Sequence, residues 1–275
     1  MNIIKRKTIG VGVLSWRGYS SLEASLQSYV KHKFLDIFDE ALLFLPEAQP
    51  QGHALGAKYG IKTREHSENL GIYGGFRALA ENLSTDFVLL LENDWLLTEK
   101  NALSQISFGQ KILTDERAIC VRYRNISKPG DPMTGLSKYY RYYPSPDNTF
   151  QERALAAVRR CVRFKKARKL MKTAPYAECF PEKVFPNAFK RIENNFLITD
   201  SSIEQWTNNP TLIDRNFYLN TLLSKVEQIE RSSSKINNFK NIEGELRIKW
   251  WRQKKWPIAI SPGLFTHNRL NDRGY

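Results

Sequence analysis

Apolar and polar residues succeed one another in the first half of the chain in a pattern that predicts alternating strands and helices. Short apolar runs between polar residues are typical of strands buried on both faces, whereas apolar residues three to four positions apart are typical of helices. Such an alternation predicts an α/β fold with a mostly parallel sheet flanked by helices. The predicted strands are 8–16, 40–45, 61–66, 87–91 and 118–124, and the predicted helices are 21–32, 52–59, 76–83 and 102–113.

The second half of the chain has a less regular pattern. Turn-forming prolines and glycines and a group of four tyrosines fall within 127–150. Further elements are predicted from short apolar runs and periodicity. We therefore predict one continuous domain, with an α/β half, residues 1–126, and an α-rich, basic half, residues 127–275. The predicted elements of the second half are a basic helix at 151–172, a strand at 196–199, and helices at 201–206 and 215–230.

The charge of the chain favours polyanionic partners. Its 42 Lys and Arg outnumber its 28 Asp and Glu, which gives a formal net charge of +14. Nucleic acid, an acidic membrane leaflet and phosphorylated substrates are the partners that such an excess attracts. The segment 151–172 holds nine Lys or Arg and one Glu, with Leu155, Val158 and Val162 on one helical face. This pattern suits contact with an anionic membrane, and it equally suits a solvated basic helix.

Cysteine content and hydropathy predict the cellular compartment of the protein. The three cysteines are far apart in the sequence and odd in number, which fits a reducing compartment without disulfides. No apolar run approaches the roughly 18–20 residues that cross a bilayer. The apolar stretch near the N-terminus is expected to be the first strand rather than a signal peptide. We expect a cytoplasmic protein that contacts the inner face of a membrane at most peripherally.

The strongest candidate for chemistry is the acidic triplet Glu92-Asn93-Asp94, which directly follows the predicted strand 87–91. Ligands of open α/β sheets gather at the carboxyl ends of the strands. Two carboxylates one residue apart at such a place suit a hard divalent cation, and a solvated turn is the alternative. The glycine-rich turn 69–75 lacks the spacing of a dinucleotide-binding fingerprint, and no P-loop motif is present.

These motifs, in their order along the chain, resemble those of the GT-A glycosyltransferases, and most closely the inverting enzymes of family 2. The matching stretches are SWRG after the first strand, a second strand that ends in Pro46-Glu47, ENLGIYGGFR, and DFVLLLENDW. The resemblance covers roughly residues 8–125 well and the remainder weakly. It departs at Glu92, where the family usually has Asp, so Glu92 is expected to act through water or on the sugar.

The resemblance implies a set of donor-binding residues and a metal site. Asp94 would hold a divalent cation, Mn²⁺ or Mg²⁺, and His267 would fold back as a further ligand unless its role is structural. UDP is the expected nucleotide. Arg77 would reach the diphosphate or the carboxylates, with a salt bridge on the helix surface as the alternative. The residues expected to bind the donor are Ser15, Trp16, Arg17, Glu47, Asn69, Gly71, Tyr73, Arg77, Glu92 and Asn93.

An inverting transfer also needs a general base that removes the proton of the acceptor hydroxyl. The family's late-helix acidic pattern is similar to NIEGELRIKWW, in which Glu243 matches the base and Glu245 is the second candidate. Glu243 follows the polar stretch 232–238 and is predicted to open a helix that Leu246 and Trp250 anchor in the core. A carboxylate that only stabilises the helix N-terminus is the alternative.

The sequence thus predicts a glycosyltransferase that moves a sugar from a nucleotide-diphosphate sugar to a saccharide or lipid-linked acceptor. Two alternatives remain. A basic nucleic-acid-binding protein would explain the charge and the tyrosines of 139–143, whose rings suit sugar faces and nucleic-acid bases alike. No nucleic-acid-binding motif is present, however, so we expect no nucleic acid as a partner. A nucleotidyltransferase that makes nucleotide sugars is the other alternative, although SWRG is a poor phosphate loop.

Overall fold

The computed structural model describes residues 6–269 apart from 132, 134, 230–234 and 237. Most of the polar stretch 232–238 and the C-terminal residues 270–275 therefore lie outside the described residues. The described part of the chain forms one large mixed sheet with helices on both faces and a small two-stranded sheet. The predicted α/β fold, with its sheet flanked by helices, is confirmed.

The strands are numbered in chain order. They are β1 Ile9–Leu14, β2 Glu40–Pro46, β3 Lys62–His66, β4 Phe87–Glu92, β5 Trp95–Leu97, β6 Cys120–Arg124, β7 Gly130–Asp131, β8 Lys190–Arg191, β9 Leu197–Asp200, β10 Thr211–Asp214, β11 Lys235–Ile236, β12 Phe239–Lys240 and β13 Pro257–Asn268.

The helices are numbered in the same way. They are α1 Tyr19–Lys31, α2 Pro50–Lys58, α3 Gly71–Glu81, α4 Ala102–Thr114, α5 Gly135–Tyr140, α6 Phe150–Val162, α7 Phe164–Leu170, α8 Ala174–Ala177, α9 Pro181–Val184, α10 Arg215–Phe217, α11 Ser224–Glu227, α12 Ile242–Glu245 and α13 Lys249–Lys254. A π-helical turn, Tyr218–Leu223, joins α10 to α11, and short 3₁₀ turns lie at Leu35–Ile37, Met171–Thr173 and Glu193–Asn195.

The main path of the large sheet runs β3-β2-β1-β4-β10-β6-β13-β9-β8. The first four strands are parallel, as predicted. Strand β10 is antiparallel to both β4 and β6, and β13 is parallel to β6. Because β10 and β13 come from the second half of the chain, the two predicted halves share one sheet.

The core lies on both faces of this sheet. Successive residues of β4 point to opposite faces, so that Leu89 and Leu91 join one buried cluster and Val88 and Leu90 join the other. Helices α1 and α4 cover the first face, and α3 with the segments near α12 and α13 covers the second. Each fully buried side chain of this size contributes about 1.5–3 kcal/mol relative to its exposed state.

Several sequence predictions differ from the structure. Helix α3 begins at Gly71, so the glycine-rich stretch predicted as a turn is mostly helical. Residues 201–206 form turns instead of a helix, since Ser201 is buried and its hydroxyl donates to Trp251 O. The predicted basic helix is two helices, α6 and α7, which meet at Arg163. Trp250, which was predicted to anchor the helix that begins near Glu243, is only partly buried, and its neighbour Trp251 is fully buried instead. The reason is that α12 ends at Glu245 and α13 begins four residues later.

The tyrosines of 139–143 form part of a third buried cluster. Tyr139 and Tyr142 are buried against Ala167 and Leu170 of α7, and the Tyr143 ring packs edge-on against the Phe185 ring with 4.9 Å between the ring centroids. The interpretation of the group as a platform for sugars or bases is therefore wrong for Tyr139 and Tyr142. Their rings supply the apolar contacts that hold α7 on the body of the protein.

Candidate active site

The turn after β1 lies beside the carboxyl end of β4. Leu14, the last residue of β1, pairs with Glu92, the last residue of β4. Arg17 and Gly18 both adopt left-handed backbone conformations, with φ of 54° and 61°. The Ser15 hydroxyl donates to Arg17 O at 3.0 Å and so closes the turn. Strand pairing and turn together bring the SWRG motif to the acidic triplet.

Three of the predicted donor-binding residues contact one another at this edge of the sheet. The Trp16 indole Nε1 donates to Glu47 Oε2 at 2.8 Å, and Arg17 Nη2 lies 3.3 Å from the same oxygen. The Arg17 guanidinium also lies over the Trp16 ring, 5.1 Å from its centroid. An aromatic ring, a guanidinium and a carboxylate are groups that can stack on a base, contact a phosphate and accept from a ribose hydroxyl.

Asn93 links the two loops of this edge. Its side-chain amide donates to Arg17 O at 3.3 Å and to Gly18 O at 3.1 Å, while Ser25 Oγ donates to Asn93 O at 2.8 Å. Both amide hydrogens of Asn93 are thus engaged by the turn after β1. The Asn93 side chain therefore joins the turn after β1 to the loop after β4, and its role in donor binding stays a prediction.

The segment before α3 has a conformation that requires glycine. Gly71 has a φ of 62°, and its N–H donates to Asn69 Oδ1 at 2.8 Å. A Cβ at Gly71 would lie 2.3 Å from Phe239 Cβ, so only glycine lets this backbone approach β12. Tyr73, one turn into α3, is half-buried.

Arg77 forms salt bridges on the helix surface, which was the alternative to contact with the diphosphate or the carboxylates. Its Nε lies 2.9 Å from Glu81 Oε1, and its Nη1 lies 3.1 Å from Glu227 Oε1 and 3.2 Å from Tyr73 Oη. The hydrogen bond that Arg77 donates to Glu81 is the main cause that raises the pKa of Arg77. The structure does not bring Arg77 into contact with Glu92 or Asp94.

Asp94 and His267 lie side by side, as the resemblance implied. Asp94 is 8% exposed, and its Oδ2 lies 3.0 Å from His267 Nε2 and 3.6 Å from Arg269 Nε. The other ring nitrogen of His267, Nδ1, contacts Asp131 O. Asp94 Oδ1 is buried and has no hydrogen-bond partner within the part of the chain that the structure describes.

Strand β13 brings His267 to this position from the far end of the chain. Its pairing with β6 shifts register between Ile260 and Phe265, and Gly263 lies within the shift with a φ of 103°. Beyond the shift β13 pairs with β5, and His267 stands opposite Trp95. The two rings lie 4.7 Å apart. A distant residue thereby becomes a neighbour of the acidic triplet.

The donor atoms at Asp94 fit a divalent ion that has few protein ligands and takes the others from water and phosphate. Among the described residues, no group of three or more His, Cys, Asp and Glu side chains could hold a metal ion. Asp94 Oδ1 is nevertheless a buried acceptor without a partner, and His267 Nε2 lies close to the other oxygen. Mg²⁺ and Mn²⁺ are commonly held by one or two protein ligands plus water and phosphate oxygens. Asp94 and His267 would be the protein ligands of such an ion.

The negative charges of Asp94 and Glu243 act on Glu92 at this edge of the sheet. Burial is the main cause that raises the pKa of Glu92 well above its usual range, and the negative charges of Asp94 and Glu243 add to it. The positive charge of Arg269 has the opposite effect. A bound cation would lower the repulsion among these negative charges.

The two candidates for the base differ in accessibility. Glu243 is partly exposed, and its Oε1 accepts from Asn208 N at 2.7 Å. Its own N–H donates to Asn241 Oδ1 at 3.2 Å, which fixes the start of α12. Glu245 is 1% exposed and belongs to the interior side of the same turn. Of the two, Glu243 is the carboxylate that an acceptor can reach.

Arg124 is a residue of this site that the sequence analysis missed. Its guanidinium lies 5.4 Å from the centroid of the Trp95 ring and 6.0 Å from that of Tyr176. Burial lowers the pKa of Arg124, and the charges of Asp94 and Glu243 are among the causes that oppose this. The one available signal was its place at the carboxyl end of the predicted strand 118–124.

The sheet order, with the acidic triplet at the carboxyl end of β4, places the chain in the GT-A fold class, as the resemblance predicted. Among solved structures the chain is similar to S. aureus TarS 1-349, with a TM-score of 0.52 and 11% sequence identity. The match covers 95% of this chain and 60% of that chain, so this chain spans less than two thirds of the TarS structure. A likeness at this identity concerns the fold alone.

Two other solved structures are similar at lower TM-scores. The mannosyltransferase PcManGT from Pyrobaculum calidifontis, in complex with GDP-Man and Mn²⁺, is 10% identical, with 99% of this chain and 59% of that chain covered and a TM-score of 0.49. The glucosyl-3-phosphoglycerate synthase from Mycobacterium tuberculosis, in complex with Mn²⁺, UDP-glucose and phosphoglyceric acid, is 10% identical over 96% of this chain and 72% of that chain, with a TM-score of 0.46. No family model and no curated protein matches the sequence.

Proposed function

We propose that the protein is a metal-dependent glycosyltransferase that moves a sugar from a nucleoside diphosphate sugar to a hydroxyl group of a saccharide or lipid-linked acceptor, with inversion. The observation that carries this proposal is the contact of Asp94 with His267 at the carboxyl end of β4, where the charge of Glu243 also acts on Glu92. The GT-A fold supports it, because this edge of an α/β sheet is where ligands bind. The place of the enzyme among the inverting family 2 enzymes remains a prediction.

The donor side of the proposed site is built from the loops after β1, β2 and β4. Trp16, Arg17 and Glu47 would bind the nucleoside, because their side chains already contact one another beside the end of β1. Asp94 and His267 would hold the divalent ion, which when bound neutralises the charge that develops on the diphosphate leaving group.

The acceptor side is built from α12 and β6. Glu243 would accept the proton of the acceptor hydroxyl while that oxygen bonds to the anomeric carbon of the sugar and the bond from this carbon to the diphosphate breaks. Arg124 and Glu92, on both of which the charge of Glu243 acts, would orient the sugar. Since the nucleophile and the leaving group lie on opposite sides of the sugar, the configuration of the anomeric carbon inverts.

Donor binding and turnover test separate parts of the proposal. Thermal shift is measured with UDP-, GDP- and dTDP-sugars, with and without Mn²⁺, for the wild type, Asp94→Ala and the control Asp36→Ala at an exposed position. We expect a Mn²⁺-dependent shift with at least one donor, its loss in Asp94→Ala and its retention in the control. A shift of equal size without the metal, in the wild type and in Asp94→Ala, would contradict the metal site.

Glu243→Gln keeps the shape of the side chain and removes its basicity. We expect turnover to fall by roughly 10²–10⁴-fold while the donor-induced thermal shift stays near that of the wild type. Glu245→Gln is the matched variant on the same turn, and it should change stability more than turnover because Glu245 is buried. A product that retains the donor's anomeric configuration would exclude the role of Glu243 as the base.

The observations do not favour the two alternatives. The nucleic-acid hypothesis was based on the net charge and on the tyrosines of 139–143, and of these Tyr139 and Tyr142 are buried in the third cluster. A nucleotidyltransferase would need a phosphate loop after β1, where the structure has a tight turn closed by Ser15 and Arg17.

A further inference from the structure

We propose that α6 and the beginning of α7 form a docking surface for a bilayer of anionic phospholipids. This docking surface consists of Leu155, Val158, Val162 and Phe164, together with the basic side chains around them. These four apolar side chains are 50%, 58%, 74% and 63% exposed. The sequence suggested membrane contact as one of two possibilities, and the structure now shows which way the apolar side chains point.

Helix α6 turns its apolar face away from the protein. Leu155, Val158 and Val162 are three and four residues apart and therefore share one face of the helix. The opposite face contacts the body, because Ala156 is buried and Arg160 Nη1 donates to Tyr142 O. A helix that is only a solvated element of a globular protein has the reverse arrangement, with its apolar side chains toward the core.

The helix is already formed and anchored without a membrane. Thr149 and Glu152 make a capping box, in which Thr149 N donates to Glu152 Oε2 at 3.0 Å and Glu152 N donates to Thr149 Oγ1 at 3.3 Å. Ala167 and Leu170 of α7 are buried in the third cluster and attach the following helix to the body. Docking would therefore need no folding of this segment.

The charge around the apolar face selects the occupant. Within residues 151–172 seven Lys and Arg side chains are exposed, and Glu152 is the one acidic residue. An apolar face bordered by cationic side chains matches an anionic bilayer, in which the apolar groups enter the acyl boundary and the cations meet the headgroups. A second copy of the chain fits poorly, since two such surfaces would bring like charges together and each copy carries a net charge of +14. The seven are Arg153, Arg159, Arg163, Lys165, Lys166, Arg168 and Lys169, of which Arg153 shares the face of α6 that carries Arg160 and so does not border the apolar face.

Vesicle flotation of the full chain tests the proposal and requires neither donor nor turnover, so its outcome is separate from that of the proposed activity. Vesicles of phosphatidylcholine alone are compared with vesicles of phosphatidylcholine mixed with phosphatidylglycerol, at low and high salt. We expect binding to the mixed vesicles at low salt and a large loss of binding at high salt. Equal binding to both kinds of vesicle, or to neither, would overturn the proposal.

Two variants with matched controls locate the surface. Leu155→Gln/Val158→Gln/Val162→Gln should lower the partition coefficient about tenfold or more, whereas the control Val30→Gln/Leu103→Gln/Val184→Gln, at exposed apolar positions elsewhere, should leave it unchanged. Lys165→Gln/Arg168→Gln/Lys169→Gln should lower it by about two orders of magnitude. The control for charge, Lys62→Gln/Arg64→Gln/Lys111→Gln, removes the same three positive charges and should have a much smaller effect.

Sedimentation velocity without vesicles distinguishes the other occupant. We expect a monomer for the wild type and for the apolar variant alike. A wild-type dimer that the apolar variant dissociates would overturn the proposal in favour of a second copy. Circular dichroism of each variant establishes that its helical content equals that of the wild type.

Discussion

At the scale of single residues, the surroundings of a side chain decide what it can do. The two oxygens of Asp94 differ, since Oδ2 faces His267 and Arg269 while Oδ1 is buried without a hydrogen-bond partner among the described residues. Glu243 and Glu245 are two residues apart, and only Glu243 is accessible. The sequence proposed both glutamates as candidates, but their exposure could not be predicted because it depends on how a four-residue helix sits on the core.

Cys120 gives a prediction about pH at this scale. Burial in β6 raises the pKa of its thiol to about 11, against about 9 for an ordinary thiol. A pKa that is higher in the folded state contributes stability that is complete below the unfolded value and is lost as the pH rises toward the folded value. The free energy of unfolding of the wild type should therefore fall between pH 9 and pH 11 more than that of Cys120→Val, by on the order of 1 kcal/mol at pH 10.

Chemical denaturation at pH 7 to 10 measures this difference. Cys161→Val is the control, because Cys161 is exposed. If the wild type and Cys120→Val lose stability in parallel as the pH rises, the buried thiol is not the cause.

At the scale of elements, β13 has the greatest influence on the site. It is a 12-residue strand that pairs with β6 and β9 near its beginning and with β5 and β7 near its end. The shift in register at Gly263 lets one strand make both sets of pairs and brings His267 to Asp94. The site therefore depends on a shift in register within a single strand.

Gly263→Ala should disturb this element strongly. A Cβ there would lie 2.2 Å from Asn125 Cα and 2.6 Å from Arg124 O, and the φ of 103° is unfavourable for any other residue. We expect the free energy of unfolding to fall by about 3 kcal/mol or more. Gly60→Ala is the control, because Gly60 has a φ of 65° and no heavy atom within 4 Å of the added Cβ, and it should cost about 1–2 kcal/mol. Equal losses in urea denaturation would contradict the close contact at Gly263.

At the scale of the whole molecule, the two predicted halves depend on one another. Strand β10 lies between β4 and β6, and β13 is the other neighbour of β6. The four parallel strands alone would leave one side of β4 without a partner, and β6 would have no neighbour in the sheet. No helix among the described residues is long and apolar enough to cross a membrane.

Expression of residues 1–126 alone tests this dependence. We expect a chain without cooperative thermal unfolding, because buried residues of β4 and β6 would lose their hydrogen-bonded neighbours. Co-expression with residues 127–275 should restore a folded complex that a tag on one part recovers. Cooperative unfolding of 1–126 by itself would mean that the α/β half is an independent domain.

The sequence by itself determined the order of elements in the α/β half and the place of the acidic triplet. Apolar runs and helical periodicity are local, and the change from Leu91 to Glu92 marks the end of β4 without any tertiary information. The glycine at position 71 was likewise identified from its motif. These features depend on residues that are near one another in the chain.

Only the tertiary structure decided what meets the acidic triplet. Strand β10 is four residues long and was not predicted, and the burial of Tyr139 and the pairing of Arg77 with Glu227 depend on neighbours that are distant in the sequence. His267 was proposed from resemblance, but its contact with Asp94 exists because β13 shifts register at Gly263. Local periodicity carries no information on which strands pair, because pairing is set by the packing of the whole sheet.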